Sequence, residues 1–247
     1  MPTEELSLEV IILISIKNCM KLILVLVVLL SIMLSSPAYG HKLISHDDSH
    51  RSFDMALPIP DHEISWAIYE NLGENEAKYY SFEAKKGDSF YASIVIPKIQ
   101  GLEEYAPTIV LVDPRFIQEE IVDMDSQLAT EKYQYEGEFP GKEFYEPFGQ
   151  VTYWERQEIK TEIPADGKYY IIVMDERNQS GKYSLAVGTI EDFSGADFFT
   201  VLPKAWFDTK IFVNDYTSIL IFFIVLSAII AMPLFVIKKR KQKLIVT

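Results

Sequence analysis

The residues best suited to bind a metal or take part in chemistry are the histidines, all of which lie near the start of the predicted mature chain. They are His41, His46, His50 and His62. A histidine at a free chain start can chelate a metal through its ring and its terminal amine, so His41, His46 and His50 are candidate ligands for copper or zinc. They lack the glutamate that metalloprotease helices carry directly after the first histidine, which excludes that assignment. The competing interpretation, which we adopt for residues 41–57, is a flexible polar leader.

A second candidate is the insertion that follows the predicted strand at residues 108–112. Residues 131–149 contain six aromatic residues, five acidic residues and two lysines. The aromatic residues expected to contact a ligand are Tyr133, Tyr135, Phe139, Phe144 and Tyr145. Rings beside carboxylates suit stacking on a sugar, contact with a protein, or binding of calcium. The alternative is that these rings cover an open end of the fold. Asp123 and Asp125 suggest a calcium loop, but the glycine and further oxygen ligands of an EF-hand are missing.

Catalysis finds little support in the sequence. The chain has no Gly-x-Ser-x-Gly motif, no phosphate-binding glycine loop and no histidine after His62 that could activate a serine. Its one cysteine, Cys19, precedes the predicted mature domain. We therefore predict that the protein is not an enzyme. The sequence assigns no cofactor beyond the candidates copper, zinc and calcium.

A strand-rich body must position these residues. Short runs of β-branched and aromatic residues, separated by Gly/Pro turns without intervening helices, predict an all-β, antiparallel, jelly-roll-like sandwich over residues 58–192. Residues 167–188 are predicted to form a β-hairpin. Its first run is apolar on both faces, which predicts a central strand, and in the second run Tyr183, Leu185 and Val187 share one face. Its tip carries Asn178 in an acceptor sequence for N-glycosylation.

Four stretches of this body follow each other in a familiar order: residues 79–84 with Gly87 and Asp88, residues 108–114, residues 167–173 and residues 181–185. Together they resemble the bacterial pre-peptidase C-terminal domain, over residues 77–188. The resemblance implies a β-sandwich of secreted and surface proteins, usually an accessory or binding module appended to an enzyme. This chain departs from the pattern by its insertion after Pro114 and by carrying no peptidase. The shared residues are strand aromatics and turn glycines, which specify a fold better than a function.

The N-terminal region predicts a secretory signal over residues 1–40, with Met20 as an alternative start. Two lysines precede an apolar run of 12 residues, 22–33, and small residues before His41 fit a signal-peptidase site. The alternative is an uncleaved anchor over residues 10–34, interrupted by polar and charged residues.

The C-terminal region predicts a membrane anchor. No charged residue occurs in the 22 residues between Asp215 and Lys238, and at about 1.5 Å per residue this run can span the hydrocarbon core. We therefore predict a transmembrane helix over residues 216–237 and a basic cytoplasmic tail over residues 238–247. Residues 193–215 are predicted to be a juxtamembrane amphipathic segment. Its aromatic residues either lie at the lipid headgroups or pack under the sandwich.

The body between the two ends is acidic. Residues 41–216 include 33 acidic and 16 basic residues, a balance of −17, which disfavours nucleic acid as a partner. We predict a single-pass cell-membrane protein whose outward domain is a non-catalytic binding or assembly module. Its expected partners are the membrane and a protein or glycan at the cell surface. The alternatives are an extracytoplasmic copper- or zinc-binding protein that uses the N-terminal histidines, and an accessory subunit of a membrane complex.

Overall fold

A computed structural model of the chain describes residues 21, 41–113, 130–192 and 197–245. The predicted signal peptide, apart from Lys21, lies outside these residues, as do Asp123 and Asp125 of the suggested calcium loop. The chain divides into two units, one of residues 39–214 and one of residues 1–38 with 215–247.

The described part of the first unit contains eleven strands. They are β1 (Lys42–Leu43), β2 (Leu57–Pro58), β3 (Trp66–Leu72), β4 (Ala77–Ala84), β5 (Ser89–Pro97), β6 (Thr108–Val112), β7 (Thr130–Tyr133), β8 (Glu143–Glu146), β9 (Val151–Glu162), β10 (Gly167–Met174) and β11 (Gly181–Val187). One sheet has the order β1-β3-β11-β5-β9-β8 and the other β2-β4-β10-β6-β7. Apart from the parallel pairs β1–β3 and β2–β4, the strands pair in antiparallel fashion. The described residues thus form a mostly β fold whose two sheets make a sandwich, as predicted.

The two sheets pack through alternate residues of their strands, because successive side chains of a strand point to opposite faces. Tyr183, Leu185 and Val187 of β11 are all fully buried, as the alternation predicts. Phe82 of β4 stacks on Phe90 of β5 with ring centroids 4.8 Å apart. The core between the sheets is therefore built from aromatic and aliphatic side chains of both layers.

The predicted β-hairpin over residues 167–188 is wrong, although both of its strands exist. β10 pairs with β4 and β6 in one sheet, whereas β11 pairs with β3 and β5 in the other. Each strand has an apolar face, and placing them in opposite sheets lets those faces meet across the core instead of lying side by side. The connection between them turns at Asp175, whose carboxylate accepts hydrogen bonds from the N–H groups of Arg177 and Gln179.

Residues 41–57, which we expected to be a flexible leader, lie on the sandwich instead. β1 and β2 each extend one edge of a sheet, and Ile44 and Leu57 pack against the main core. Phe53 covers the outer face of the five-stranded sheet, with its ring 5.0 Å from that of Tyr170. These apolar residues follow neither the period of a strand nor that of a helix, which is why their pattern did not predict this arrangement.

A helix, α1 (Asp197–Phe212), follows the last strand and packs on the sandwich. The Phe212 ring stacks on Tyr69 of β3 at 4.5 Å, and the Tyr69 hydroxyl hydrogen-bonds Thr209 Oγ1 at 2.8 Å. Lys182 of β11 donates a hydrogen bond to the Phe212 carbonyl at 2.7 Å. For Phe212, these contacts favour packing under the sandwich over a position at the lipid headgroups.

The second unit contains the helix α2 (Tyr216–Ile245), which begins beside Asp215. The Asp215 carboxylate accepts a hydrogen bond from the backbone N–H of Ser218 at 3.1 Å, as expected of a helix N-cap. Within the described residues, no helix combines the length and the apolar character needed to cross a membrane. The predicted transmembrane helix over residues 216–237 is therefore not confirmed.

The end of β11 generates a stability prediction. Gly188 has φ of +76°, and a Cβ there would lie 2.6 Å from the carbonyl carbon of Ile64. We expect Gly188→Ala to cost about 2–4 kcal/mol of unfolding free energy, because strain of the left-handed backbone adds to a clash with backbone atoms. The control is Gly101→Ala, since Gly101 has φ of +93° but nothing within 4 Å of a built Cβ. Denaturant unfolding measures both, and equal losses would contradict the steric argument.

Candidate functional site

One candidate site forms around a carboxylate that lies inside the sandwich. The alternation of β3 places Ile68, Glu70 and Leu72 on its core side, and the Glu70 side chain is 1% exposed. A buried carboxylate is stable only with hydrogen-bond donors or a cation beside it. The residues around Glu70 supply such donors.

Three side chains converge on one oxygen of Glu70. His50 Nε2 lies 2.6 Å from Glu70 Oε1, His46 Nε2 lies 3.2 Å from it, and the Tyr80 hydroxyl donates to it at 3.1 Å. The Tyr80 hydroxyl also hydrogen-bonds that of Tyr183 at 2.8 Å. Burial raises the pKa of Tyr80 and of Tyr183 well above the usual value, so both phenols stay protonated. The result is a buried polar network at one end of the core.

The leader delivers both histidines through a tight turn. Asp48 adopts φ of 65°, and its N–H donates to His46 Nδ1 at 3.3 Å. The two imidazole rings meet edge to face, with centroids 4.7 Å apart. The carbonyl of His50 accepts a hydrogen bond from the Tyr79 N–H of β4 at 2.9 Å, which fixes the end of the turn on the sandwich.

A buried lysine stands beside this turn. Lys78 of β4 is fully buried, and its ammonium group contacts the Asp48 carboxylate and lies 3.8 Å from Glu76. Burial opposes ionisation of Asp48, but hydrogen bonds from Lys78 and Arg51 outweigh it and lower the pKa of that carboxyl group. The leader therefore supplies the partner for a buried cation as well as donors for a buried carboxylate.

The structure brings together two of the three predicted metal ligands. The ligand atoms of His46, His50 and Glu70 lie within 4.8 Å of one another, and His41 is not part of this group. His41 Nδ1 instead lies 2.6 Å from Ser65 Oγ. Sequence reasoning missed Glu70. The signal was its position in the alternation of β3, between core residues Ile68 and Leu72.

The second candidate site is a groove of about 510 Å³ on the outer face of the six-stranded sheet. Much of its floor consists of small side chains on three neighbouring strands, β3, β11 and β5. In one row across the sheet, Ala67 pairs with Ala186, Ala186 with Ser93, and Ser93 with Glu158. The next row consists of Tyr69, Ser184, Val95 and Glu155. Both rows thus run from β3 to a carboxylate on β9.

The edge strand β8 forms one wall of the groove. Phe144, which is 38% exposed, and Glu146 line it, while Tyr91 of β5 also contributes to the lining. Burial raises the pKa of Glu146, although its carboxylate accepts hydrogen bonds from the N–H groups of Phe148 and Gly149 at 2.7 and 2.5 Å. The groove therefore combines aromatic faces, hydroxyl groups and carboxylates with the basic side chains of Lys142 and Arg156.

The five predicted ligand-binding aromatics do not form one surface. Only Phe144 lines the groove, and its neighbour Tyr145 is 56% exposed. Tyr133 packs against the main core. The rings of Tyr135 and Phe139 lie on the guanidinium group of Arg156, at 5.0 and 5.3 Å, which is a packing role.

Arg156 holds this segment through backbone carbonyls. Its guanidinium group donates to the carbonyls of Tyr105 at 2.9 Å, Pro140 at 2.6 Å, Glu103 at 3.0 Å and Glu155 at 3.1 Å. Burial lowers its pKa to about 10, and it stays protonated at neutral pH. The segment that precedes the β8 wall is thus fixed by one buried arginine.

The acceptor asparagine Asn178 lies in the exposed turn between β10 and β11, with φ of 55°. Its accessibility is compatible with the predicted glycosylation, which stays a prediction.

Comparisons with known proteins found matches among solved structures only at low sequence identity. No family model and no curated protein matches the chain. Solved structures include a periplasmic inhibitor of g-type lysozyme, PliG from Aeromonas hydrophila, at 15% identity and a TM-score of 0.35, covering 60% of this chain and 98% of that chain. They also include the pre-peptidase C-terminal domain of a Bacillus anthracis collagenase, at 19% identity and a TM-score of 0.30, covering 53% of this chain and 91% of that chain. The latter is a pre-peptidase C-terminal domain, the family that residues 77–188 resemble in sequence.

The arginine clamp generates a second prediction. We expect Arg156→Lys to cost about 2–4 kcal/mol of unfolding free energy, because a lysine cannot reach four carbonyls in a planar fork. The matched control is Arg177→Lys, at a side chain that is 45% exposed and donates to the Glu104 carbonyl, for which we expect a loss below about 0.5 kcal/mol. Denaturant unfolding gives both values. Similar losses in the two variants would contradict the clamp.

Proposed function

We propose that this chain is a non-catalytic binding module that acts outside the cytoplasm and holds an extended segment of a protein partner in the outer-face groove. The observation that carries the proposal is the groove itself, whose volume of about 510 Å³ falls within the range of known ligand pockets. Small floor residues let a ligand approach the sheet closely, while Phe144 and Tyr91 offer apolar contact.

The lining of the groove offers groups that can form hydrogen bonds with a partner. Ser93 and Ser184 present hydroxyl groups, and Glu155 and Glu158 end the two floor rows, where Glu155 is paired with Lys142 and Glu158 with Lys160. The negative balance of residues 41–216 adds a long-range attraction for a basic partner. These features suit a polypeptide that carries a net positive charge and forms hydrogen bonds along the floor of the groove.

Site-specific crosslinking tests this proposal. With p-benzoylphenylalanine in place of Phe144, we expect light-dependent protein adducts in cells, and we expect Ser93→Trp, which fills the groove, to abolish them. The control places the same crosslinker at Lys168, an exposed residue on the outer face of the other sheet. Adducts of equal yield at both positions, or adducts that survive Ser93→Trp in a folded variant, would refute a ligand in the groove.

We also propose that residues 216–237 tether the chain to a membrane with its folded body outside the cytoplasm, and the sequence is the only support for this part. The uncharged run of residues 216–237 and the basic tail after it are the features that favour an anchored domain with its body outside. Membrane extraction and labelling from outside the cell test this anchor independently of any binding in the groove.

We expect the full chain to stay in the membrane pellet after alkaline carbonate extraction, and a chain that ends at Asn214 to be released. In intact cells, a membrane-impermeant maleimide should label Gln179→Cys, an exposed position, and should not label Lys241→Cys. Release of the full chain by carbonate would overturn the tether, and labelling only at position 241 would reverse the orientation.

A further inference from the structure

We propose that His46, His50 and Glu70 bind one divalent transition-metal ion, with Zn²⁺ as the best chemical match. This site is distinct from the groove and does not depend on a ligand there. Two imidazole nitrogens and one carboxylate oxygen form a ligand set that suits zinc, with a fourth position left for water or another oxygen.

Two of the three distances between the ligand atoms are close to those of a zinc site, and the third, between the two histidine nitrogens, is within 4.8 Å. Bonds of about 2.0–2.1 Å in tetrahedral geometry separate neighbouring ligand atoms by about 3.3 Å. His46 Nε2 and Glu70 Oε1 are already 3.2 Å apart. His50 Nε2 and Glu70 Oε1, at the 2.6 Å of a short hydrogen bond, must separate by about 0.7 Å. The Tyr80 hydroxyl donates a hydrogen bond to the same oxygen at 3.1 Å.

Metal binding requires a defined change of protons. Without metal, His46 Nε2 lies within hydrogen-bond distance of Glu70 Oε1 and of the Tyr69 carbonyl oxygen at 3.1 Å, so this nitrogen carries the proton. Its Nδ1 accepts the N–H of Asp48. To bind zinc through Nε2, a neutral imidazole moves its proton to Nδ1 through solvent, and His46 then exchanges the Asp48 hydrogen bond for a different partner. His50 Nε2, which lies 2.6 Å from Glu70 Oε1, must likewise lose its proton before it can bind zinc. For each histidine, a neutral ring would move this proton to Nδ1 through solvent, and a protonated ring would release one proton to solvent.

The surroundings permit a cation and a route to it. The buried cation Lys78 is already paired with Asp48, so its charge is balanced by a residue outside the proposed ligand set. The His46 side chain is 12% exposed, whereas those of His50 and Glu70 are 2% and 1% exposed, so the metal would enter from the His46 side. Bound metal would cross-link the leader to β3.

Zinc stoichiometry tests the site. The full chain, purified in mild detergent with a histidine-free tag, is stripped with a chelator, dialysed against Zn²⁺ and measured by atomic emission. We expect one equivalent in the wild-type chain and in the controls His41→Ala and His62→Ala. We expect at least tenfold weaker binding in His46→Ala and in Glu70→Gln. Because His46 is the most exposed of the three ligands, His46→Ala should keep the fold, which circular dichroism verifies.

A spectroscopic measurement on the wild-type chain makes the test independent of any variant. In ¹⁵N spectra of the imidazole rings, Zn²⁺ should shift the Nε2 signals of two histidines and leave the other two unchanged. Absence of bound zinc, unchanged ring signals, or full binding by a folded His46→Ala variant would overturn the proposal. Loss of zinc on His41→Ala alone would also overturn it, because that result would locate the metal at the chain start.

Discussion

The structure depends on the strict alternation of side chains in β3 and β4, because this alternation turns Glu70 and Lys78 into the sandwich. An unpaired charge in such a place costs several kcal/mol, so the fold is stable only if partners reach it. The leader provides them, with His46 and His50 at the carboxylate and Asp48 at the ammonium group. Order in the leader and burial of charge in the core are therefore two aspects of one interaction.

The outer faces of the two sheets are used differently. On the five-stranded sheet, the leader residue Phe53 packs on Tyr170 and covers an apolar face. On the six-stranded sheet, small residues such as Ala186 and Ser93 form the floor of a groove. Toward β3, Tyr69 of this face stacks on Phe212 of α1, and toward β8 the small side chains lie beside the ring of Phe144. One outer face therefore serves stability, and the other contains the groove in which we propose that a partner binds.

The strands were predictable because strand formation depends on a short local pattern of apolar and polar residues. The bounds of β4 and β6 follow the runs at residues 77–84 and 108–112, and the buried side of β11 follows its alternation. The candidate sites were harder. The aromatics of residues 131–149 share composition but not surroundings, since Arg156 draws Tyr135 and Phe139 to itself while Phe144 faces the groove. Composition alone contains no information about which ring meets which neighbour.

Local sequence was thus enough for the fold class, for the acidic balance and for the choice of His46 and His50 as candidate ligands, because each is read directly from the types and order of residues. Pairing of β10 and β11 with different partners, and the meeting of the leader with Glu70, were decided by the tertiary structure. These features depend on which faces bury each other across the core, and the free energy of that burial is shared among residues far apart in the chain. No pattern within one segment records it.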